Sequence, residues 1–174
     1  MKRIAIIGSS GAGKSTFARQ LSMLLALPVI HLDTLFWQPG WIPTPSDEWD
    51  AIQKQFVQQE TWIMDGNYSS TLDIRLAAAD TIIFLDFPML LCLYRALKRR
   101  FQYAGKSRPD MNEGCPERID WGHLKWIWNY PRDGRVRAVQ KIQKYSTGRQ
   151  IIILRSPRQV KQFLQELSKK PCTA

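Results

Sequence analysis

A glycine-rich stretch near the start of the chain has the composition and spacing that bind phosphate groups. Residues 8–16 read GSSGAGKST and match the pattern GxxxxGK[ST] in full. In such a loop the backbone N–H groups surround phosphate oxygens, the lysine contacts the outer phosphates and the serine hydroxyl ligates Mg²⁺. The stretch lies between a predicted strand and a predicted helix, so we expect ATP and magnesium, although the pattern does not separate ATP from GTP. The residues predicted to bind the nucleotide are Gly8, Ser10, Gly11, Ala12, Gly13, Lys14, Ser15 and Thr16.

A carboxylate follows the second apolar run, VIHLD. Asp33 closes this run, where ligands of open α/β sheets bind, and it can orient or deprotonate an acceptor hydroxyl. The alternative is an aspartate that caps the following turn. His31 shares a strand face with Asp33, and a buried hydrogen-bonded imidazole is favoured over a metal pair.

A second carboxylate is predicted to assist the metal ion. Asp65, in IMDGNY, would hold Mg²⁺ through water, with the Ser15 hydroxyl as the direct ligand. Asp86, in IIFLDF, is the rival for this role. We favour Asp65 because Gly66, which follows it, lets the backbone approach a ligand.

The net charge of +10 comes mainly from one segment. Residues 90–149 contain 14 Lys and Arg against 5 Asp and Glu, whereas the rest of the chain has 11 against 10. We therefore expect a polyanion to bind there, and nucleotide phosphates, nucleic acid and acidic lipids all fit that description. Arginines beside a mobile flap can neutralise a moving phosphoryl group, and about half of them are expected to form a solvated basic face instead.

Two further features could shape the acceptor end of a site. Arg75 stands in a weakly charged stretch, where its guanidinium fork can clamp an anionic group, unless it forms a surface pair with Asp73. Residues 36–49, FWQPGWIPTPSDEW, carry one Phe and three Trp. Trp37 can stack against a ring of the acceptor, and the alternative is a small hydrophobic subcluster.

Five β-rich runs alternate with helical patterns. Apolar runs of this kind are typical of a parallel sheet covered on both faces, so we predict a doubly wound α/β fold with a five-stranded parallel sheet. The predicted strands are residues 2–8, 28–33, 62–67, 80–87 and 150–156. The predicted helices are residues 15–26, 47–59 with Ser46 as N-cap, 88–101, two pieces split at Pro131, and 157–169. Residues 103–120 lack periodicity and are predicted to form a flap.

Length and composition indicate one globular domain over residues 1–174. Hydrophobic residues make up 44% and charged residues 23%, which argues against disordered and fibrous classes. No apolar run reaches the roughly eighteen residues of a membrane span, and no signal cleavage pattern is visible. The cysteines at 92, 115 and 172 are too widely spaced to indicate a disulfide framework or a zinc site. We expect a cytoplasmic protein without membrane contact.

The phosphate loop, the strand pattern and the arginine-flanked flap together resemble the adenylate kinase and shikimate kinase branch of phosphate-loop proteins. The segments HLDTLFW, MDGNY, FLDFP and NYPRDGR are more closely similar to bacterial topology modulation proteins, and this resemblance covers nearly the whole chain. The branch implies strand order 2-3-1-4-5, a helical lid over residues 99–137 and an acceptor-binding region over residues 34–60.

The resemblance also implies roles for individual side chains. The implied catalytic residues of the lid are Arg99, Arg132 and Arg135, and the residues implied beside the adenine are Arg155 and Pro157. Adenylate kinases follow the third strand with a Gly-Phe-Pro-Arg turn, whereas this chain has Gly66, Asn67 and Tyr68. The acceptor is therefore expected to differ from a nucleoside monophosphate and to be bound by Asp33, Trp37, Gly66 and Arg75.

Two functions follow from these observations. The first is an ATP-dependent kinase that moves the γ-phosphate to a nucleoside, a nucleotide or another hydroxylated metabolite, with Lys14 and Asp33 as catalytic residues. The alternative is an ATP-regulated DNA-binding protein that modulates DNA topology, which rests on charge and on the name of the similar group. A simple ATPase is a weaker third function, and the sequence does not set the oligomeric state.

Overall fold

Five parallel strands form the central sheet of the computed structural model, which describes residues 1–169. The strands in chain order are β1 (Arg3–Gly8), β2 (Val29–His31), β3 (Trp37–Gln38), β4 (Ile42–Pro43), β5 (Trp62–Asp65), β6 (Thr81–Leu85) and β7 (Gln150–Leu154). The central sheet has the order β2-β5-β1-β6-β7, and β3 pairs with β4 in a separate antiparallel hairpin. Counted among the five strands of the sheet, this order is 2-3-1-4-5, so the predicted fold class is confirmed.

The helices of the described residues cover both faces of the sheet. They are α1 (Lys14–Leu25), α2 (Leu32–Phe36), α3 (Ser46–Phe56), α4 (Leu72–Ala78), α5 (Met89–Gln102), α6 (Trp121–Asn129), α7 (Gly134–Lys144) and α8 (Pro157–Lys169). The prediction missed α2, α4 and the hairpin, because each is too short to show a hydrophobic period. Helix α3 begins at Ser46 itself, with Pro45 in the cap position and no side-chain cap, so Ser46 is not the N-cap.

Alternating side chains of β1 connect two hydrophobic cores. Ala5 and Ile7 belong to the core that α3, α4 and α7 cover, whereas Ile4 and Ile6 belong to the core under α1, α5 and α8. Because successive side chains of a strand point to opposite faces, an unbroken apolar run in β1 is what a sheet covered on both sides requires. No helix within residues 1–169 has both the length and the apolar character needed to cross a membrane.

The strand register brings the carboxyl ends of neighbouring strands together. Asp65 at the end of β5 is paired with Ile6 of β1 and with His31, the last residue of β2. Strand β2 therefore ends two residues earlier than predicted, and Asp33 lies in the first turn of α2. The loops that follow the five strands consequently meet at one edge of the sheet.

The phosphate loop packs closely against the start of α5. Gly11 has a φ of +78°, and a Cβ atom at this position would lie 2.2 Å from the carbonyl oxygen of Cys92. Only glycine combines this left-handed backbone with so close an approach.

Replacing Gly11 by alanine should therefore destabilise the protein more than the same change at Gly148. Gly148 has a φ of +72°, with nothing within 4 Å of an added Cβ. Both variants lose about 1–2 kcal/mol from the left-handed backbone, and Gly11→Ala should lose roughly 1–3 kcal/mol more from overpacking. Urea unfolding of the two variants measures the difference, and equal losses would contradict the packing argument.

Candidate functional site

A cleft of about 920 Å³ lies at the edge of the sheet where the strands end. Residues that follow each of the five strands contribute to its walls, among them Ser10, Asp33, Asn67, Phe87 and Pro157. The segment from Arg108 to Asp120, between α5 and α6, supplies the opposite wall. The cleft is thus placed and sized for a small-molecule ligand.

The phosphate loop presents free backbone donors to this cleft. Gly13 precedes α1 in the left-handed conformation, and no side chain of the described residues caps the helix. The first N–H groups of any α-helix lack an acceptor within the helix. Because no side chain takes the place of that acceptor here, these groups can bind an anion. Residues 10–16 all line the cleft, and the Lys14 Nζ atom donates to the Ser9 carbonyl at 3.1 Å. This loop fits the phosphates of a nucleotide.

Lys14 lies among carboxylates. Burial lowers the pKa of its ammonium group, while the charges of Asp33 and Asp65 act in the opposite direction. Arg95, from α5, donates to the Ala12 carbonyl of the loop at 3.3 Å. The loop therefore has the carboxylates of Asp33 and Asp65 near Lys14 and the guanidinium of Arg95 bound to its backbone.

Asp33 faces the cleft and is oriented by a tyrosine. The Tyr68 hydroxyl donates to Asp33 Oδ1 at 2.8 Å, and the Asp33 side chain remains 41% exposed. Burial raises the pKa of Tyr68, and the Asp33 charge adds to this effect, so the phenol stays protonated as a donor. Asp33 lines the cleft from the first turn of α2, and its role on an acceptor stays a prediction.

The aromatic segment divides into an inner and an outer part. Phe36 packs against Trp49 and Tyr68, with ring centroids 5.0 and 4.6 Å apart, and these rings form a hydrophobic subcluster. Trp37 and Trp41 stand further out, 5.4 Å apart, and both line the cleft. The hydrophobic subcluster is therefore present, and the stacking of Trp37 against an acceptor ring stays a prediction.

The two aspartates considered for the metal have different partners. Asp65 is buried and lies 2.5 Å from His31 Nδ1. Burial disfavours the charged imidazole, but the hydrogen bond and the charge of Asp65 outweigh it and raise the pKa of His31. Asp86 instead accepts two hydrogen bonds from Arg135, at 2.7 and 2.8 Å.

No three His, Cys, Asp or Glu side chains within residues 1–169 form a metal-binding group. Asp110 of the flap lies beside Ser15, and it is buried. Burial opposes its ionisation, but the Arg108 charge and the Ser15 hydroxyl lower the pKa of Asp110. A hydroxyl and an ionised carboxylate suit Mg²⁺, so Ser15 fits its predicted role, and the role of Asp65 stays a prediction.

Buried charges order the flap. Glu117 accepts a hydrogen bond from Arg99 Nε at 2.9 Å, and its second oxygen lies 2.7 Å from Arg108 Nε without hydrogen-bond alignment. Arg108 also donates to Asp110 at 3.1 Å and reaches to 4.0 Å from Asp33. Glu117 is only 4% exposed and Arg108 9% exposed, so these charges depend on each other for compensation.

A histidine of α6 contacts the phosphate loop directly. His123 Nε2 lies 2.9 Å from the Ser10 hydroxyl, and burial together with the Arg99 charge lowers the pKa of His123. Asp120 caps α6 by accepting from the His123 backbone N–H at 2.7 Å. The cap therefore fixes the helix end that covers the loop.

Several predicted residues lie outside the cleft. Arg132 is exposed in the turn between α6 and α7, Arg135 is bound to Asp86, and Arg155 is exposed with Nε 3.9 Å from Asp86. Of the three predicted lid arginines, Arg99 lines the cleft, and at the predicted adenine end Pro157 does so. Arg135 and Arg155 instead lie beside Asp86, which follows β6.

Arg75 and Gly66 serve the packing of the β5–α4 connection. Arg75 is 1% exposed and donates to Gln53, Thr71 and the carbonyls of Gly66 and Tyr68. Burial lowers the pKa of its guanidinium to about 10. A Cβ atom on Gly66 would lie 2.8 Å from the Leu32 Cβ, so this glycine allows a close contact with α2. Arg75 is thus neither a free anion clamp nor a surface partner of Asp73, which binds Lys141 instead.

The sequence analysis missed three flap residues that line the cleft, Arg108, Asp110 and Glu117, and it also missed His123 of α6. The flap has no hydrophobic period. The feature of the sequence that could have indicated these three residues is the alternation of charges in RPD and PER. Cys92 and Cys115 are buried free thiols, and Cys172 lies outside the described residues.

The flap also binds the hairpin at the acceptor end. The Asn112 side chain donates to the carbonyls of Thr34 and Trp37, at 2.6 and 2.8 Å. Gly40 N–H donates to the Gly114 carbonyl at 2.9 Å, and Trp41 Nε1 donates to the Pro116 carbonyl at 3.1 Å. We call this set of contacts the clasp. It joins segments some seventy-five residues apart, beside the outer aromatic wall of the cleft.

Two solved structures are similar to the chain in fold. Deoxyadenosine kinase from M. mycoides with the products dCMP and a flexible dCDP bound is 13% identical, with 94% of this chain and 97% of that chain covered and a TM-score of 0.50. Shikimate kinase from Bacteroides thetaiotaomicron is 18% identical, with 97% of each chain covered and a TM-score of 0.52. At these identities the likeness shows the fold, a parallel sheet covered by helices on both faces, and nothing finer.

No protein-family model and no curated protein matches the chain. The resemblance to topology modulation proteins therefore stays a prediction.

Loss of the Asn112 side chain should loosen the clasp. Two hydrogen bonds at about 1 kcal/mol each correspond to roughly 30-fold more frequent opening. In Asn112→Ala, backbone amides of residues 37–43 and 103–120 should exchange faster in hydrogen–deuterium exchange mass spectrometry, with the sheet unchanged. Glu113→Ala, an exposed neighbour, is the matched control. Equal exchange in the two variants would show that Asn112 does not hold the flap.

Proposed function

We propose that the protein is an ATP-dependent phosphotransferase whose acceptor is an uncharged, ring-containing hydroxyl compound. The observation that carries this proposal is the presence of Lys14 and Asp33 in one cleft, close enough for their charges to interact. A phosphate-binding lysine next to an exposed carboxylate supplies the two functions that phosphoryl transfer to a hydroxyl needs.

The charge of the cleft supports a polyphosphate ligand. Among the described residues that line it, seven are Lys or Arg and four are Asp or Glu, which leaves a surplus of three positive charges. The basic lining residues are Lys14, Arg19, Arg95, Lys98, Arg99, Arg108 and Arg118. Five of these seven belong to the basic segment 90–149, which has fourteen Lys and Arg, so a part of its positive charge lines the cleft.

The chain's own groups can divide the reaction between them. Asp33, held by Tyr68, accepts the proton of the acceptor hydroxyl, so that its oxygen can bond to the terminal phosphorus while the bond to the leaving diphosphate breaks. Lys14 and Arg99 neutralise the charge on the transferred group and on the leaving oxygens. Bound magnesium would screen the charge of the phosphates. The Ser15 hydroxyl and the Asp110 carboxylate beside it would hold the magnesium ion.

An uncharged acceptor is favoured over a nucleoside monophosphate. Arg75, the predicted anion clamp, is buried and donates to protein acceptors. Arg108 is paired with Asp110 and Glu117. With these guanidinium groups engaged, the acceptor end offers the carboxylate of Asp33 and the rings of Trp37 and Trp41, which suit a ring with a free hydroxyl.

The DNA-binding alternative receives less support. Many basic side chains of residues 90–149 already have internal partners: Lys141 and Lys144 bind Asp73, Arg135 binds Asp86, and Arg149 donates to backbone carbonyls. Duplex binding depends on cations that are free to meet phosphates. Duplex DNA is therefore included among the compounds tested for stimulation of ADP release.

The decisive experiment is ADP release from MgATP with a panel of nucleosides, sugars, nucleoside monophosphates and duplex DNA, each against a no-acceptor control. We expect stimulation by an uncharged hydroxyl compound, abolished in Lys14→Ala. Stimulation by DNA alone, or full turnover in Lys14→Ala, would overturn the proposal.

The role of Asp33 is tested by replacement with asparagine, once an acceptor is known. Loss of a general base should lower kcat by roughly 100- to 10,000-fold while the affinity for ATP changes little. Asp73→Asn is the matched control, because Asp73 forms its ion pairs with α7 away from the cleft. Similar kcat values for the two variants would remove Asp33 from the reaction.

A further inference from the structure

One of the two histidines of the chain lies at the phosphate-loop end of the cleft. The Nε2 atom of His123 is 2.9 Å from the Ser10 hydroxyl, and both residues line the cleft. Ser10 belongs to the phosphate loop, so a side chain of α6 reaches a loop residue that is 113 positions away in the sequence. The imidazole is therefore held beside the groups that would bind phosphate.

The position of Ser10 within the loop indicates which phosphates would lie near this imidazole. The Lys14 Nζ atom donates to the carbonyl of Ser9, the residue before Ser10. Because the lysine of such a loop contacts the outer phosphates, Ser10 and the imidazole beside it lie at the same end of the nucleotide. Burial is the largest cause that lowers the pKa of Lys14 and of His123, and the charge of Arg99 lowers both further. Lys14, Arg99 and His123 are thus close enough to act on one phosphate group.

The start of α6 fixes the direction of the imidazole. Asp120 caps the helix by accepting from the His123 backbone N–H at 2.7 Å. The ring of Trp126, three positions further along the helix, has its centroid 6.3 Å from that of the imidazole. A side chain that is already oriented loses little conformational entropy when it binds a ligand. His123 is therefore prepared to contact a group bound in the loop.

The charges around His123 suit it to an anionic ligand. Burial lowers the pKa of the imidazole, and the charges of Arg99 and Arg108 act in the same direction. The charges of Asp120 and Glu117 oppose this shift without cancelling it. A phosphate oxygen within hydrogen-bond distance favours the protonated imidazole. The ring can therefore donate to a phosphate and gain a proton when the phosphate binds.

We propose that His123 is a ligand of the terminal phosphate of the bound nucleotide, carried to the phosphate loop by α6. This inference rests on the proposed function, because it takes a nucleoside triphosphate to be the ligand of the loop. The Nε2–H group donates to a terminal phosphate oxygen, while Lys14 and Arg99 neutralise the charge of the same group. His123 thereby distinguishes a triphosphate from a diphosphate, which lacks that phosphate.

Binding measurements without turnover test this contact. Isothermal titration calorimetry with magnesium gives the dissociation constants of ADP and of the β,γ-imido analogue of ATP. His123→Ala should weaken binding of the ATP analogue by about 10-fold or more, the loss of one hydrogen bond to a charged group, and binding of ADP by less than about twofold. Lys125→Ala is the matched control, because Lys125 is exposed on the same helix and is not one of the described residues that line the cleft. Circular dichroism verifies that each variant is folded.

The proton gained by the imidazole gives a second measurement. The pKa of His123 is lowered in the free protein, and the phosphate raises it, so binding takes up protons at a pH between the two values. Affinity for the ATP analogue should therefore rise as the pH falls through that interval. Calorimetry in two buffers of different ionisation enthalpy measures the uptake.

Replacement by glutamine separates the hydrogen bond from the charge. The amide of His123→Gln can donate to the phosphate but does not ionise. This variant should therefore recover part of the affinity lost in His123→Ala, and it should take up fewer protons than the wild type. Protonation of the nucleotide and of His31 occurs in both proteins, so it cancels in the comparison.

Three results would overturn the inference while the proposed function stands. The first is unchanged binding of the ATP analogue by His123→Ala. The second is an equal loss of affinity for the analogue and for ADP, because a residue that only holds α6 against Ser10 would affect both nucleotides. The third is equal proton uptake by the wild type and His123→Gln. A wild-type chain that binds neither nucleotide would instead overturn the proposed function itself, and this inference with it.

Discussion

The contact between the phosphate loop and the first turns of α5 is the constraint on which the other features depend. Because Gly11 has no side chain, the loop backbone reaches the Cys92 carbonyl, and α5 is thereby fixed against the start of α1. Arg95 and Arg99, one turn apart on this helix, then line the cleft, while Tyr94 and Leu97 of the same helix are exposed. One helix thus contributes to the loop, to the charge of the cleft and to the surface.

The flap is ordered by charge rather than by a hydrophobic core of its own. Glu117 lies between Arg99 of α5 and Arg108 of the flap, and Arg108 also binds Asp110 beside Ser15. Buried charges are costly when a partner is missing. The conformation of the flap therefore depends on these groups staying together.

Sequence reasoning succeeded where the signal is local or periodic and failed where it is not. The five apolar runs predicted the sheet and its class, and the phosphate loop was visible in nine consecutive residues. Asp33 and Trp37 line the cleft, and their predicted roles stay predictions, whereas the burial of Arg75 depends on Gln53, which comes from a different helix. The contacts of Asn112 and Glu117 join distant segments, and no pattern in a single window contains them.

The clasp has a consequence for the timing of events in the cleft. It joins the flap to the hairpin through several hydrogen bonds, so the two segments separate only when these bonds break. Motions of loops that cover a cleft take microseconds to milliseconds or longer, and in many enzymes they are slower than the chemical step. The rate at which this side of the cleft widens would then depend on Asn112 and the hairpin, and not on the residues of the phosphate loop.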